Sequence, residues 1–320
     1  MLYGITLLFG LTGTTKMDAI RGILASGGAE GTNSVTLLVA TVLILAGFGF
    51  KTAAVPFHFW CPDVYTGAPT PVTAFLSVAP KAAGFATLIR FFLTGLSATG
   101  SAPWAPFRNW PLLLLILSIV TMTLGNIASL RQDNIKRMLA YSSIAHAGFI
   151  FMGAVVVTPD GLQAVLIYLI TYLFMNLGAF LVVIEVYNRT GSFDLKDYRG
   201  LYRRSPFLTI SMTIFMLSLM GIPPFAGFFG KLFVFGAAVR QNLAWFAVIG
   251  ALNSVIAVYY YARVIKAMII EENGDTSAIA VPWTSHVLVW AMLLPTAGLM
   301  IFWNRIQALT SSSMRFFSGS

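Results

Sequence analysis

The sequence predicts an all-α polytopic membrane protein, and three observations predict it. Of 320 residues, 58% are hydrophobic and 10% are charged, where a soluble domain carries roughly a quarter charged residues. The mean hydropathy is +0.81. The apolar residues also fall into runs of about 20, the length a helix needs to cross a bilayer. Those runs lie at about 35 to 58, 70 to 97, 111 to 130, 137 to 157, 162 to 187, 207 to 239, 244 to 266 and 285 to 303, giving about eight full transmembrane helices. The stretch from Met1 to about Gly13 is apolar but too short to span and lacks the basic start of a signal peptide, so it reads as an N-terminal helix fragment.

Charge and cysteine content narrow the function. A single cysteine, Cys61, allows no internal disulfide, no multi-cysteine zinc site and no iron–sulfur cluster on the chain's own thiolates. No metal site is expected, and any redox chemistry must belong to a partner. The net charge of +9 is scattered among short connections instead of forming a basic face with interleaved aromatics, so nucleic acid is not an expected partner. The scatter instead orients the chain, because basic residues near helix ends are retained in the cytoplasm. Ten lie in one set of loops (Arg131, Lys136, Arg137, Arg189, Lys196, Arg199, Arg203, Arg204, Arg263 and Lys266) and six in the other (Lys16, Arg21, Arg108, Arg240, Arg305 and Arg315). This places the loops near 131 to 137, 188 to 206 and 267 to 284 in the cytoplasm, and the C-terminus outside.

Lysines inside the spans are few: Lys51, Lys81 and Lys231. Each costs at least ~2.5 kcal/mol at mid-membrane unless it snorkels to the headgroups. Lys81, between "SVAP" and "AAGFATLI", and Lys231, between "FFG" and "LFVF", lie near the middles of their spans. All eleven acids, among them Asp18, Glu30, Asp63, Asp133, Asp160, Glu185 and Asp275, fall in loops or near span ends. The three lysines therefore have no mid-membrane carboxylate in this chain, and are either held neutral or paired with residues outside it. Arg90 and Glu185 lie close enough to span ends to need no special reason.

Prolines mark where the spans break. Pro223 and Pro224 each remove a backbone donor and clash with the preceding turn, so the helix through 207 to 239 is expected to be discontinuous. Irregular backbone at membrane depth is tolerated only against protein or a wet cavity, and half-helix ends there can bias a nearby ammonium. "AGFGFK" at Ala46 to Lys51 and "AGFFGK" at Ala226 to Lys231 share A-G-F-x-x-K at an offset of 180 residues, and Pro56, Pro62 and Pro69 follow the first copy. Two discontinuous helices in corresponding halves are the mark of a transporter-type internal repeat.

"GFKTAAVPFHFWCPDVYTGAPTPVTAFLSVAPKAAGFATLIRFF" (49 to 92), "NIKRMLAYSSIAHAGFI" and "GIPPFAGFFGKLFVF" closely resemble the N-type antiporter-like membrane subunit of proton-pumping NADH:quinone oxidoreductase, respiratory complex I. The resemblance covers essentially the whole chain. It implies a fold of fourteen transmembrane helices with two inverted five-helix repeats, of which this chain matches the end of the sixth helix through the fourteenth. On that mapping 1–98 is the C-terminal part of an incomplete first repeat, 111–270 the second repeat and 285–303 the final helix. Lys51 matches the lysine of the broken seventh helix, Lys81 that of the eighth and Lys231 that of the broken twelfth. A glutamate on the family's fifth helix, which pairs with the lysine matching Lys51, precedes the start of this chain. The short tail after about 303, a lysine at 231 instead of glutamate, and no histidine in "TAFLSVAPK" favour the N-type over its L- and M-type cousins.

The resemblance implies proton translocation by Lys51, Lys81 and Lys231, driven by quinone reduction in adjoining subunits. The wider complex uses NADH, FMN, iron–sulfur clusters and quinone, none of them bound by this chain. Expected partners are the other membrane subunits of complex I and the lipid bilayer, in a bacterial inner membrane. His146, a lone apolar-flanked histidine, is a candidate proton relay, since a group titrating near pH 6.5 suits a wet half-channel. His58, just after Lys51, is a second. Tyr141, Ser142, Ser143, Thr171, Tyr172 and Asn176 could line the path or serve helix packing. A secondary cation/proton antiporter subunit, needing no redox partner, and a non-catalytic scaffold are the competing readings.

Overall fold

A computed structural model describes residues 1–25, 34–96, 110–272, 274 and 277–313. Glu30, Arg108, Asp275 and Arg315, which enter the charge argument above, lie outside them. Fourteen helices run in chain order through the described residues. They are α1 Leu2–Thr12, α2 Met17–Ala25, α3 Ser34–Thr52, α4 Trp60–Gly67, α5 Thr70–Phe91, α6 Trp110–Ser129 and α7 Ile135–Val155. There follow α8 Pro159–Thr190, α9 Leu201–Arg204, α10 Pro206–Met220, α11 Ala226–Arg240, α12 Ala244–Ile269, α13 Trp283–Gly298 and α14 Trp303–Ser313. Six of them, α3, α5, α6, α7, α8 and α12, are long and apolar enough to cross a membrane, α5 being extended by a π-helical turn to Leu96. The expected span at 207 to 239 is divided between α10 and α11, and that at 285 to 303 is the 16-residue α13 with a 3₁₀ turn, Leu299–Phe302. Every predicted span thus meets a helix, and both predicted breaks are present.

Local chemistry explains the boundaries. The Asn134 side chain accepts from the Arg137 amide at 2.9 Å and starts α7. Thr158 accepts from the Gly161 amide at 3.2 Å and Pro159 supplies the first turn of α8. Gly191 (φ 69°) and Gly221 (φ 86°) take the left-handed conformation that ends α8 and α10.

The centre of the molecule is α7. Of its 21 residues, all but Arg137 and Tyr141 are buried, so it meets protein on every side. Glycines bring α6 against it: a Cβ on Gly125 would sit 2.6 Å from the Ala145 amide nitrogen, and one on Gly148 2.5 Å from that of Met122. Small residues at such crossings let backbones approach within a bilayer, where packing replaces the hydrophobic effect.

At the first break, the backbone groups released from α3 find new partners. Ala53 adopts φ 60°, and the Val55 amide donates to the Thr121 hydroxyl of α6 at 3.0 Å. The Trp60 indole donates back across the break to the Phe50 carbonyl at 2.9 Å. Cys61 is buried in α4. The C-terminal carbonyls of α4 are held by Lys136, whose ammonium donates to Thr66 O (3.3 Å) and Ala68 O (2.5 Å) and lies 4.6 Å from the Phe193 ring centre. Lys136, counted above among loop residues, is therefore buried and structural. A cation on the last carbonyls of a helix also complements its dipole.

Candidate functional site

The second break explains its own sequence. In an α-helix the carbonyls of Leu219 and Met220 would accept from the amides of residues 223 and 224, but both are proline and carry no N–H. The Lys231 ammonium takes their place, donating to Leu219 O at 3.2 Å and Met220 O at 2.7 Å, with 4% of the residue exposed. The Ser218 hydroxyl accepts from the Gly227 amide at 3.0 Å and ties the two half-helices together. Lys231 thus completes the broken end of α10 from one turn inside α11, at the end where the helix dipole is negative.

Lys51 occupies the last turn of α3, again at the C-terminal end of a half-helix. It is exposed and, among the described residues, takes no hydrogen bond or ion pair. Its stem leans on α5, where a Cβ on Gly84 would lie 3.2 Å from Lys51 Cγ, one turn beyond Lys81. The two A-G-F-x-x-K copies are therefore not equivalent: one precedes its break and the other follows it. Matching the breaks themselves pairs Pro56–Phe57 with Pro224–Phe225, 168 residues apart instead of 180.

Lys81 is 2% exposed and donates to Ser143 O at 2.9 Å and Ser143 Oγ at 2.5 Å on α7. Among the described residues no carboxylate pairs with Lys51, Lys81 or Lys231, as the distribution of acids implies.

Between the two buried lysines, α7 carries a polar chain. His146 Nδ1 is 2.8 Å from the Tyr168 hydroxyl of α8, and its Nε2 is 3.1 Å from the Tyr261 hydroxyl of α12. Tyr261 continues to the Ser142 hydroxyl at 2.5 Å. The Tyr172 ring lies 5.0 Å from that of His146, and the buried Tyr65 and Tyr172 hydroxyls lack a well-aligned partner while both approach Ser143. Beyond Tyr168 the chain meets Phe149, which stacks on Tyr168 (6.3 Å, 14°) and whose ring centre is 5.0 Å from the Lys231 ammonium.

Of the sequence candidates, Lys81, Lys231, His146, Ser142, Ser143 and Tyr172 come together. Lys51 sits at the edge of the group. Thr171 donates to Tyr168 O within α8, and Asn176 joins α8 to α5 through Ser77 at 2.6 Å, so both serve packing. His58 is buried inside the first break beside Phe59, away from His146's partners. Nothing in the sequence marks Tyr65, Tyr168 and Tyr261, because a tyrosine in an apolar run carries no sign of which way its hydroxyl faces.

A family profile described as "NADH:quinone oxidoreductase/Mrp antiporter, TM" matches residues 1–257. NADH-quinone oxidoreductase subunit N 2 of Sorangium cellulosum is 45% identical over 319 residues, covering 98% of this chain and 63% of that protein. A chain of respiratory complex I from Thermus thermophilus superposes with a TM-score of 0.77 at 33% identity, covering 96% of this chain and 64% of that one. A chain of the Mrp complex from Dietzia sp. shares the fold, with a TM-score of 0.82 at 18% identity, over 100% of this chain and 65% of that one. The chain thus spans somewhat less than two thirds of the length of each.

Proposed function

We propose a proton-translocating role from one premise: the chain belongs to the NADH:quinone oxidoreductase/Mrp antiporter transmembrane family. Within that family the reading supported best is the N-type membrane-arm subunit of a bacterial inner-membrane NADH:quinone oxidoreductase. Identity of 45% across 98% of the chain to a relative of that name supports it. In this reading NADH, FMN, the iron–sulfur clusters and quinone are handled by partner chains, and the chain is a translocase subunit with no redox chemistry of its own. Residues 1–98 would be the C-terminal part of a first antiporter-like repeat and 111–270 the second repeat, each holding one helix–break–helix, with 285–303 as the final helix. The cytoplasm would lie on the side of the α6–α7 and α8–α9 connections.

The observation that carries the reading is a pair of buried ammonium groups, Lys81 and Lys231, satisfied by carbonyls and a hydroxyl without a carboxylate, with a histidine–tyrosine chain between them. Neutral oxygens can hold a lysine in either protonation state, whereas a fixed anion would lock the proton in place. Lys51 of α3, whose stem packs on α5 at Gly84 one turn beyond Lys81, acts on Lys81 through repulsion between like charges, so that protonation of one favours release from the other. Ser143 receives Lys81's proton side. His146, flanked by two hydroxyls, relays along α7, and Lys231 passes or releases the proton at the second break. His58 lies near the Lys51 end.

The test is made in membranes holding the assembled complex. Lys231→Ala lowers NADH-driven pumping and the coupled quinone reductase rate by at least about tenfold, a floor set below the roughly 100-fold or more that a positioned proton-transfer group contributes. Normal values for both would overturn the role. Sodium-dependent proton exchange in membranes without NADH dehydrogenase activity would move the assignment to a secondary antiporter, whose likeness here, at 18% identity, speaks for the fold alone.

A further inference from the structure

At the end of the molecule where α6 meets α7 and α12 finishes, a pocket of about 540 Å³ is lined by charges of both signs, basic Lys196, Arg199, Arg263 and Lys266 and acidic Asp133, Asp194 and Glu271. Along α10 and α12 runs a nearly wholly apolar groove of about 880 Å³, floored by Leu217, Met220 and Ile222 and walled by Val255, Val258 and Ile270. The two hollows share Tyr259, Arg263 and Lys266. These three fall on one stripe of α12, their stems lining the groove and their heads reaching the pocket, as amphipathic side chains do at a membrane boundary. From Val255 to Ile270 the groove follows about 22 Å of helix, roughly the 15 Å of one leaflet's hydrocarbon plus the start of its headgroup layer.

We infer that this continuous hollow is a binding site for one phosphatidylethanolamine molecule, with an acyl chain in the groove and the headgroup in the pocket. The charges choose the headgroup. Arg263 donates to Leu130 O (2.8 Å) and Asp133 (2.6 Å), and Lys266 to Glu271 (3.1 Å). A guanidinium has five N–H donors and an ammonium three, so both retain donors for a phosphate. Asp133, paired with Arg263, and Asp194, paired with Lys196 at 3.2 Å, are 81% and 48% exposed, and each carboxylate keeps lone pairs beyond that contact. An ethanolamine ammonium can donate to them, a choline has no N–H, and a glycerol headgroup brings no cation. A zwitterionic headgroup with a primary amine answers both signs of charge. None of these residues belongs to the lysine–histidine chain, so the inference stands apart from the proton-transfer reading.

Native mass spectrometry of the assembled complex, extracted from membranes containing phosphatidylethanolamine, phosphatidylglycerol and cardiolipin, tests it. One phosphatidylethanolamine stays with this subunit. Arg263→Ala with Lys266→Ala removes the phosphate's donors and lowers its affinity by about tenfold or more, the scale of a lost hydrogen bond to a charged group, read as lost occupancy. Val258→Trp, which fills the groove and leaves every charge in place, also displaces it, and keeps the test valid if the double variant fails to assemble. Retention of phosphatidylglycerol in its place, unchanged occupancy in Val258→Trp, or cross-linking of a Val258→Cys variant to a neighbouring protein chain would each overturn the inference.

Discussion

A lysine in an apolar span announces itself in sequence because its cost demands a partner, and Lys81 and Lys231 both have one. What the sequence could not reveal was the partner's identity. Backbone carbonyls carry no residue label, and only the coincidence of two prolines four residues after Leu219 and Met220 identifies the carbonyls Lys231 receives. Lys136 shows the reverse error: its place beside a loop concealed that its ammonium turns inward to close α4. At the surface, Glu271 is held below the usual carboxyl range, chiefly by a hydrogen bond from Lys266; burial opposes it as the next effect in size, and the charges of Lys266 and Arg199 add to the lowering. Because the folded form binds that proton more weakly than the unfolded chain, its stabilisation is present above the ordinary value of about 4.3 and is lost as pH falls through the lowered one. Melting curves of the detergent-solubilised protein and Glu271→Gln therefore differ at neutral pH and converge in acid. A gap that persists unchanged at acid pH would show that the ion cluster contributes nothing through this proton.

At the scale of elements, both interruptions were legible, since proline removes an amide wherever it stands. The packing at each was not. A Cβ on Gly227 would lie 1.9 Å from the Ser218 carbonyl oxygen, so α10 and α11 leave no room for a methyl group at their junction. Gly227→Ala is expected to lower stability by about 3 kcal/mol or more, the overpacking and strain range, read as loss of assembled complex. Gly10→Ala in α1, with no atom within 4 Å of the added carbon, is the control, and gains up to about 1 kcal/mol from helix propensity. A second experiment isolates the carbonyls: Pro223→Ala with Pro224→Ala restores two amides that compete with Lys231. Pumping is expected to fall although every lysine is intact, and unchanged pumping would mean the freed carbonyls are dispensable.

For the whole molecule, the position and order of the spans were readable because bilayer thickness sets one length for all of them, while their number was not, since six of the expected eight are single helices long enough to cross. The central place of α7 was not, because a helix buried on all sides and one facing lipid differ little in composition. Orientation rests on arginine and lysine alone and can be measured directly. With Cys61 buried, Ser192→Cys should react with a membrane-impermeant thiol reagent only from the cytoplasmic side, and Gln241→Cys only from the opposite side. Labelling of both from one side would reverse the assignment. The full enclosure of α7 also bears on biosynthesis. A segment with two serines, a histidine and a basic start is a poor candidate to wait alone among lipids while the ribosome finishes its neighbours. Its glycine-tight seam with α6, which emerges immediately before it, lets the pair enter the bilayer as a hairpin, the more apolar α6 carrying its partner until α8 arrives to shield the other flank.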